Sequence, residues 1–273
     1  MNKQTTTIWQ LPKISPLKQR EGFYCKESMS HPAKMPTYLA AAVISTYTRP
    51  GDWVVDPMSG TGTTGIEARK LGRNAIGVEY EKTFFNLCNK NLKLTEEKLG
   101  NANSKAFFIH GDARQLSALL SKQGKMDAII FSPPYENVLC KQKGNSSALC
   151  KKVFGYMVPY SEEKATKENR GEVNIGLQKG DAYLGEMFKV YKECHSVLKP
   201  DGLMILVVRN FRRKGEEIDL RTNTIHLCKM AGFKFFQTCM HILNEISFWQ
   251  KINTKKVPFL MLNTTEYVLV FKK

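Results

Sequence analysis

Acidic residues follow three apolar segments of the chain, and the first of them adjoins a glycine-rich run. Asp56 ends the segment 53–56 and is followed by Pro-Met-Ser-Gly-Thr-Gly-Thr-Thr-Gly. Glu79 ends the segment 74–79, and Asp112 comes shortly after the segment 106–110. Glycines allow the backbone to approach a ligand closely, and carboxylates accept hydrogen bonds or pair with cations. The pattern predicts a ligand site in which this loop and three acids meet.

Two kinds of ligand suit such a loop. Gly60, Gly62 and Gly65 form a GxGxxG pattern, and Glu79 follows Gly60 by nineteen residues, as in a dinucleotide site. However, Asp56 would repel a pyrophosphate, whereas it suits a ligand with an ammonium group, such as S-adenosylmethionine. In that interpretation Glu79 accepts hydrogen bonds from ribose hydroxyls, and Asp112 lies beside the adenine.

A second motif, Ser132-Pro133-Pro134-Tyr135, directly follows the apolar segment 128–131. The two prolines restrict the backbone and remove two N–H donors. The Ser132 side chain and the Pro133 carbonyl can therefore accept hydrogen bonds from a substrate amine. Tyr135 offers a ring on which a planar base can stack.

The elements that must position these motifs alternate along the chain. This alternation predicts an α/β fold with an open, mostly parallel sheet and an antiparallel strand at its C-terminal edge. Helices are predicted at 36–47, 66–71, 82–94, 187–198 and 222–230. Strands are predicted at 53–56, 74–79, 106–110, 127–131, 203–208, 235–243 and 267–271. We treat residues 1–273 as a single domain, in which 136–180 is an insertion over the active face.

Positive charge indicates the partner. The chain has 41 Lys and Arg against 25 Asp and Glu, a formal net charge of +16. Basic proteins bind nucleic acid because their side chains neutralise phosphates and release counterions. We expect nucleic acid to be contacted by the 136–180 insertion and by a cluster after the predicted strand 203–208. The members of that cluster are Arg209, Arg212, Arg213 and Lys214.

Several classes of protein are excluded. The longest aliphatic run, 203–208, is far shorter than the roughly 20 residues that cross a bilayer, so no membrane partner is expected. An odd number of cysteines, seven, predicts reduced thiols in a cytoplasmic protein. No cysteine follows a proline, which argues against a thiolate that adds to cytosine C5, and no CxxC pair indicates zinc. An N-terminus without an apolar core indicates no signal peptide.

Together the motifs resemble those of the DNA amino-methyltransferases, which modify cytosine N4 or adenine N6. Asp56 to Thr64 resembles the cofactor motif of that family, and Ser132 to Tyr135 resembles its catalytic motif. His31-Pro-Ala-Lys-Met-Pro36 is similar to the flanking cofactor motif, and Phe248-Trp-Gln-Lys251 loosely resembles a late strand motif. In many relatives the catalytic motif comes first, whereas here the cofactor loop does.

The resemblance implies a Rossmann-like S-adenosylmethionine-dependent methyltransferase fold and assigns the site. Catalysis is expected from Ser132, Pro133, Pro134 and Tyr135. Contacts with S-adenosylmethionine are expected from His31, Lys34, Pro36, Asp56, Pro57, Met58, Ser59, Gly60, Gly62, Thr63, Thr64, Glu79, Tyr80, Asp112 and Ala113. Double-stranded DNA is the implied partner, and no metal is expected. A prokaryotic, phage or mobile-element setting is implied, in which a cognate restriction endonuclease would share the DNA sites without being a physical partner.

Three functions remain open from the sequence. The first is a DNA methyltransferase, for which Ser132 favours cytosine N4, because adenine-modifying relatives usually carry Asp or Asn there. The second is an RNA methyltransferase acting on exocyclic amines, since such enzymes share both motifs. The third is a nicotinamide oxidoreductase built on the GxGxxG pattern. A non-catalytic DNA-binding relative is disfavoured by the intact Ser132 to Tyr135 motif.

Overall fold

The structure is a computed structural model and describes residues 7–12, 14–31, 34–100, 103–135, 174–213, 216–242 and 265–273. The strands are β1 (Thr7–Trp9), β2 (Trp53–Asp56), β3 (Asn74–Glu79), β4 (Ala106–His110), β5 (Met126–Phe131), β6 (Leu198–Val208), β7 (Phe211–Arg213), β8 (Glu216–Ile218), β9 (Lys234–Ile242) and β10 (Thr265–Lys272). The helices are α1 (Thr37–Tyr47), α2 (Thr63–Lys70), α3 (Lys82–Leu99), α4 (Leu116–Leu119), α5 (Gly180–Val197) and α6 (Leu220–Met230).

Eight strands form one sheet in the order β1-β9-β10-β6-β5-β2-β3-β4, and β7 and β8 form a separate hairpin. Neighbouring strands are parallel except where β10 pairs antiparallel with both β6 and β9. The predicted mostly parallel α/β sheet is confirmed. The antiparallel strand lies between β6 and β9, and the short strand β1, which the sequence pattern missed, occupies the edge beyond β9.

Both faces of the sheet are covered, and this explains why its strands are continuously apolar. Successive residues point to opposite faces: Val55 and Ile129 pack with residues of α4, α5 and α6, while Val54 and Ile130 pack with residues of α1 and α2. The core is therefore two layers of side chains, one on each side of the sheet. No helix in the described ranges combines the length and apolar character needed to span a membrane.

The helix boundaries differ from the predictions at two places that matter for the site. Helix α2 begins at Thr63, three residues before the predicted Ile66, so it starts inside the glycine-rich loop. Helix α5 begins at Gly180 instead of Met187, which adds two turns at its N-terminal end. The first of these helices starts with Thr-Thr-Gly and the second with Gly-Asp, residues of low helix propensity that tertiary packing overrides.

The strand order places the two motifs side by side. From β2 the chain proceeds to β3 and β4 on one side, whereas β5 and β6 lie on the other side. Such a topological switch point creates a crevice at the carboxyl ends of the strands. The loop after Asp56 and the motif after Phe131 leave the carboxyl ends of adjacent strands β2 and β5 and therefore border this crevice.

Candidate active site

The glycine-rich loop is held by hydrogen bonds within itself and to neighbouring elements. The Ser59 N–H donates to the Val78 carbonyl at 2.9 Å, and the Ser59 hydroxyl donates to the Asp56 carbonyl at 3.0 Å. The Gly62 N–H donates to the Ser59 carbonyl at 2.8 Å, and helix α2 starts at the next residue. Gly62 has φ 83°, a left-handed conformation that glycine adopts without strain. The loop is thus a tight turn closed on the end of β3.

The packing beneath the loop also requires glycine. A Cβ at Gly62 would lie 2.7 Å from Phe108 Cζ, and one at Gly77 would lie 2.4 Å from both the Phe108 ring and Ser59 Oγ. Phe108 therefore packs directly under the loop. Gly77 was not predicted to matter, because a lone glycine inside a strand carries no motif.

Asp56 is buried at the mouth of the loop. Its Oδ1 accepts a hydrogen bond from the Met58 N–H at 2.9 Å. Burial raises the pKa of Asp56 to about 6, against the opposing effect of hydrogen bonds from Thr64 and Met58. In the described part of the chain, no Lys or Arg forms a salt bridge with Asp56. A buried carboxylate in this position is a suitable partner for an ammonium group of a ligand.

Glu79 connects the end of β3 to the loop. Its Oε2 accepts from the Gly60 N–H at 2.7 Å, and its Oε1 accepts from the Glu81 N–H at 2.8 Å. Burial raises the pKa of Glu79 to about 8. The carboxyl group keeps free lone pairs in either protonation state, so it can still accept hydrogen bonds from hydroxyl groups. The next residue, Tyr80, is exposed at 37% and lies at the same strand end.

Asp112 lies at the end of the strand next to β3 but is already engaged. It caps a short 3-10 turn, and its Oδ1 accepts from the Arg114 N–H at 2.9 Å. The Arg114 guanidinium donates to both Asp112 oxygens and also to Glu186 of α5. Ala113 beside it is buried. The carboxylate of Asp112 is thus part of an ion-paired group, a feature that the sequence did not reveal.

The flanking motif divides into two parts. The His31 ring lies against the loop, since a Cβ at Gly60 would be 3.1 Å from His31 Nε2, and it packs edge-on against Phe84 at 4.4 Å. Lys34 Nζ donates to the carbonyls of Met29 and His31, and burial lowers the pKa of Lys34 to about 8. The Lys34 side chain therefore binds back to the backbone of the preceding residues. Pro36 is the N-cap of α1, while residues 32–33 lie outside the described ranges.

The second motif leaves the end of β5 and is held from the opposite side. Pro133 is buried, and Ser132, Pro134 and Tyr135 are partly buried. The Tyr183 hydroxyl, on helix α5, donates to the Pro134 carbonyl at 2.8 Å. This bond joins residues 49 positions apart, so it has no local sequence signal.

The side chain of Tyr135, the last residue of the motif, contacts residues that follow β6. Its ring centroid is 6.0 Å from that of Phe211, at an interplanar angle of 56°. Burial raises the pKa of Tyr135 to about 12, while a hydrogen bond from Arg209 acts in the opposite direction. The Arg209 side chain therefore contacts the motif that begins at Ser132, while the phosphate contact that the sequence pattern predicted for it stays a prediction.

The rest of the predicted DNA-contacting cluster is described less fully. The backbone of Arg212 and Arg213 forms part of β7, paired with β8, and Lys214 lies outside the described ranges. Residues 136–173 of the predicted insertion and the motif 248–251 also lie outside them. The described remainder of the insertion contains a 3-10 turn at Ile175–Leu177, and Gly180 begins α5.

Comparisons with known proteins bear on both motifs. Residues 1–90 match a family model described as DNA methylase, and residues 51–158 match one described as RNA cap guanine-N2 methyltransferase. The type II methyltransferase M2.DpnII of Streptococcus pneumoniae is 40% identical over 67 residues, which are 24% of this chain and 25% of that protein. M.HinfI of Haemophilus influenzae, also a type II methyltransferase, is 36% identical over 94 residues, which are 33% of this chain and 25% of that protein. The chain thus aligns with about a quarter of each relative's length.

A solved structure shows the fold over nearly the whole chain. The precorrin 8W decarboxylase of Methanobacterium thermoautotrophicum superposes with a TM-score of 0.50 at 13% identity, covering 92% of this chain and 97% of that one. The fold is the Rossmann-like fold of S-adenosylmethionine-dependent methyltransferases, with its antiparallel strand inserted near one edge. Residues 1–90 are thus similar to DNA methylases, and the aligned stretches of the two type II methyltransferases agree with that similarity.

Proposed function

We propose that this protein is a DNA methyltransferase that transfers a methyl group from S-adenosylmethionine to the exocyclic amine of a flipped base. The observation that carries the proposal is the juxtaposition of two motifs at the switch point of the sheet. The Asp56 loop leaves β2, and the Ser132 motif leaves the adjacent strand β5. The similarity to proteins named type II methyltransferases supports DNA as the substrate and a restriction-modification setting.

The residues of the loop fit the cofactor. When bound, S-adenosylmethionine supplies a methyl group on a positively charged sulfur. The buried Asp56, without a salt bridge to a described Lys or Arg, is the proposed acceptor for the ammonium group. Glu79 is the proposed acceptor for the ribose hydroxyls, and its bond to the Gly60 N–H keeps the loop in the conformation that receives them. Asp112 and the exposed ring of Tyr80 lie at the neighbouring strand ends, where the adenine is expected.

The remaining proposed contacts follow the turn itself. Pro57, Met58 and Ser59 form the first half of the loop, and Thr63 and Thr64 open helix α2. His31 approaches the loop from the other side, next to Gly60. For Lys34, the bonds to the Met29 and His31 carbonyls favour an indirect role, in which the lysine keeps His31 in place.

The Ser132 motif is proposed to receive the target amine. An exocyclic amine is a poor nucleophile because its lone pair is delocalised into the ring. Hydrogen bonds from the amine to Ser132 Oγ and the Pro133 carbonyl favour a more tetrahedral and more nucleophilic nitrogen. Holding that nitrogen in line with the methyl group provides the rest of the acceleration. Because a base inside a duplex cannot reach the crevice, it must be flipped out, and Tyr135 is the proposed stacking partner.

Cytosine N4 is the proposed target atom, with adenine N6 as the alternative. The argument rests on Ser132, since the hydroxyl is a weaker acceptor than the Asp or Asn carried by adenine-modifying relatives. The match to the DNA methylase family model is compatible with both atoms.

A methyl-transfer assay tests this function. Unmethylated duplex DNA and transfer RNA are each incubated with the full-length protein and S-adenosylmethionine labelled in its methyl group. We expect label in the DNA and none above background in the RNA. Label in the RNA alone would contradict the choice of DNA, and label in neither would contradict the transferase activity. Calorimetric titration with S-adenosylmethionine, beside a titration with NAD, separates the transferase from an oxidoreductase.

A second candidate is an RNA methyltransferase that acts on exocyclic amines. The match of residues 51–158 to the RNA cap guanine-N2 methyltransferase model supports it, because that stretch includes both motifs and guanine N2 is itself an exocyclic amine. The chemistry assigned to Ser132 and Pro133 is the same in both cases. The labelled-methyl assay above distinguishes the two substrates.

A further inference from the structure

The catalytic motif is unusually poor in groups that can fix its backbone. Pro133 and Pro134 have no N–H, so this part of the chain can be bound to the rest of the protein only through carbonyl oxygens and side chains. The Pro133 carbonyl is needed for the target amine in the proposed function. The Pro134 carbonyl is therefore the backbone group of the two prolines that remains available for an internal bond.

Tyr183 occupies that position. Its hydroxyl donates to the Pro134 carbonyl at 2.8 Å, and its side chain is 2% exposed. The ring belongs to the main core cluster together with Phe131, the last residue of β5, and Met187, one turn further along α5. A ring fixed by packing on all sides holds its hydroxyl at one point, so the carbonyl that it binds is fixed as well.

We propose that Tyr183 is a positioning residue for methyl transfer. Through the Pro134 carbonyl, it sets the place and direction of the preceding Pro133 carbonyl, one of the two proposed acceptors of the target amine. This inference rests on the function proposed above and adds a residue to it. Tyr183 itself does not touch the substrate, since its hydroxyl is directed at Pro134 from within the core.

The same helix supports the idea that α5 aligns both halves of the crevice. Glu186, one turn after Tyr183, accepts a hydrogen bond from Arg114, which in turn binds Asp112 on the cofactor side. Tyr183 holds the target side. The two bonds come from one rigid helix, so the two half-sites share a common support.

Single-turnover methyl transfer by Tyr183→Phe tests the proposal. The variant keeps the ring and loses the hydroxyl, which leaves the Pro134 carbonyl without this bond. We expect the transfer rate to fall about 10- to 100-fold, since misplacement of a reacting group by ~1 Å costs about that much. The dissociation constant for S-adenosylmethionine should change less than about twofold, because the cofactor half keeps its own hydrogen bonds.

Tyr191→Phe is the matched control. Tyr191 lies on the same helix and is 1% exposed; its ring packs near Phe131, but its hydroxyl bonds Thr224 on α6 instead of the motif. Both variants lose one buried hydroxyl, and we expect similar losses of thermal stability. Only Tyr183→Phe should lose transfer rate. A positioning role would be overturned if both variants transferred methyl groups as fast as the unmodified protein, or if both lost the same fraction of the rate.

A double-mutant cycle adds a measure that a merely structural role would not affect. Combined with Ser132→Ala, which already removes one acceptor of the amine, Tyr183→Phe should cost much less than it costs alone, because the two acceptors orient the amine only as a pair. Tyr191→Phe should be additive with Ser132→Ala, and additivity of Tyr183→Phe would overturn the inference. If the unmodified protein transfers no methyl group to DNA, the proposed function fails and this inference fails with it. If the unmodified protein is active and Tyr183→Phe is equally active, this inference alone is refuted.

Discussion

The two halves of the crevice are held in different ways. On the cofactor side, the loop is held chiefly by β3 and α3, which follow it in the chain: Glu79 accepts from the Gly60 N–H, and Asn91 donates to the Thr61 carbonyl. On the target side, the motif is contacted by Tyr183 of α5 and by Phe211 and Arg209 beyond β6. The cofactor half is thus supported mainly by the next strand and helix along the chain, while the target half depends on elements that are further away in sequence. Substitutions should therefore separate binding of the cofactor from transfer to the base.

The largest effect is expected at Asp56. Asp56→Ala removes the proposed partner of the ammonium group, and a charge-assisted hydrogen bond is worth about 1.5–3 kcal/mol. Calorimetry should show S-adenosylmethionine binding weakened by that amount. Asp127→Ala is the matched control, because Asp127 lies at the opposite end of the sheet, where it binds the Trp53 N–H and Lys199. Unchanged affinity in folded Asp56→Ala protein would refute the assignment.

Tyr135 should give the opposite pattern. Tyr135→Ala removes the proposed stacking surface, worth roughly 1–3 kcal/mol, so methyl transfer to duplex DNA should slow while cofactor affinity stays the same. Tyr135→Phe keeps the ring and loses only the bond to Arg209, so it should retain most of the rate. A Tyr135→Ala variant that methylates duplex DNA as fast as the unmodified protein would rule out the stacking role.

A smaller effect, with a distinctive pH dependence, is expected at Glu79. Burial raises the pKa of Glu79 to about 8 in the folded protein, well above that of an exposed glutamate near 4.3. At a pH between these two values, the folded state therefore binds a proton that the unfolded state has lost. The stability that this proton contributes is fully present below the pKa of the unfolded state and is lost as the pH rises through about 8.

Glu79→Gln carries no such proton, so its stability should lack this component. Thermal unfolding of the cofactor-free proteins from pH 5 to pH 9 should show the melting temperature of the variant improving relative to the unmodified protein as the pH rises. Glu27→Gln is the control, because Glu27 is exposed and its pKa is lowered by Lys90. A melting-temperature difference that is constant with pH would show that Glu79 is ionised normally.

The smallest effect concerns the duplex. If Arg212 and Arg213 bind phosphates, changing both to Gln should reduce the slope of log affinity against log salt by about one unit for each phosphate that is no longer neutralised. Lys125 and Lys199, which lie at the amino ends of strands β5 and β6, serve as the control pair and should leave the slope unchanged. Equal slopes for the Arg pair variant and the unmodified protein would move the DNA footprint elsewhere.

These differences also explain what the sequence could predict. The strands β2, β3 and β4 agree with the predictions residue for residue, because each is a continuous apolar run that ends at a polar residue. Strand β6 begins at Leu198, five residues before the predicted start at Leu203, and its first part is irregular: Asp201 has φ 63°, and the register with β5 shifts. The cofactor half was visible because its residues are clustered in one loop and at two strand ends.

The target half could be predicted only in part. Its motif is contiguous and was recognised, but the support from Tyr183 and Arg209 arises from the packing of α5 and β6 against β5. Tyr183 is one of several apolar positions on a core-facing helix, and nothing local distinguishes it from Tyr191. The pairing of Asp112 with Arg114 was missed for a different reason, since residues two positions apart can point in many directions outside a helix or strand.

Nucleoside analysis of methylated DNA tests the central proposal most directly. Unmethylated duplex DNA is incubated with the protein and S-adenosylmethionine, digested to nucleosides and examined by mass spectrometry. The proposed chemistry at Ser132 and Pro133 predicts N4-methylcytosine, formed without any 5-methylcytosine. N6-methyladenine alone would correct the target atom and leave the amino-methyltransferase assignment in place. The absence of both amino-methylated nucleosides, with DNA containing many different sequences as substrate, would contradict the account.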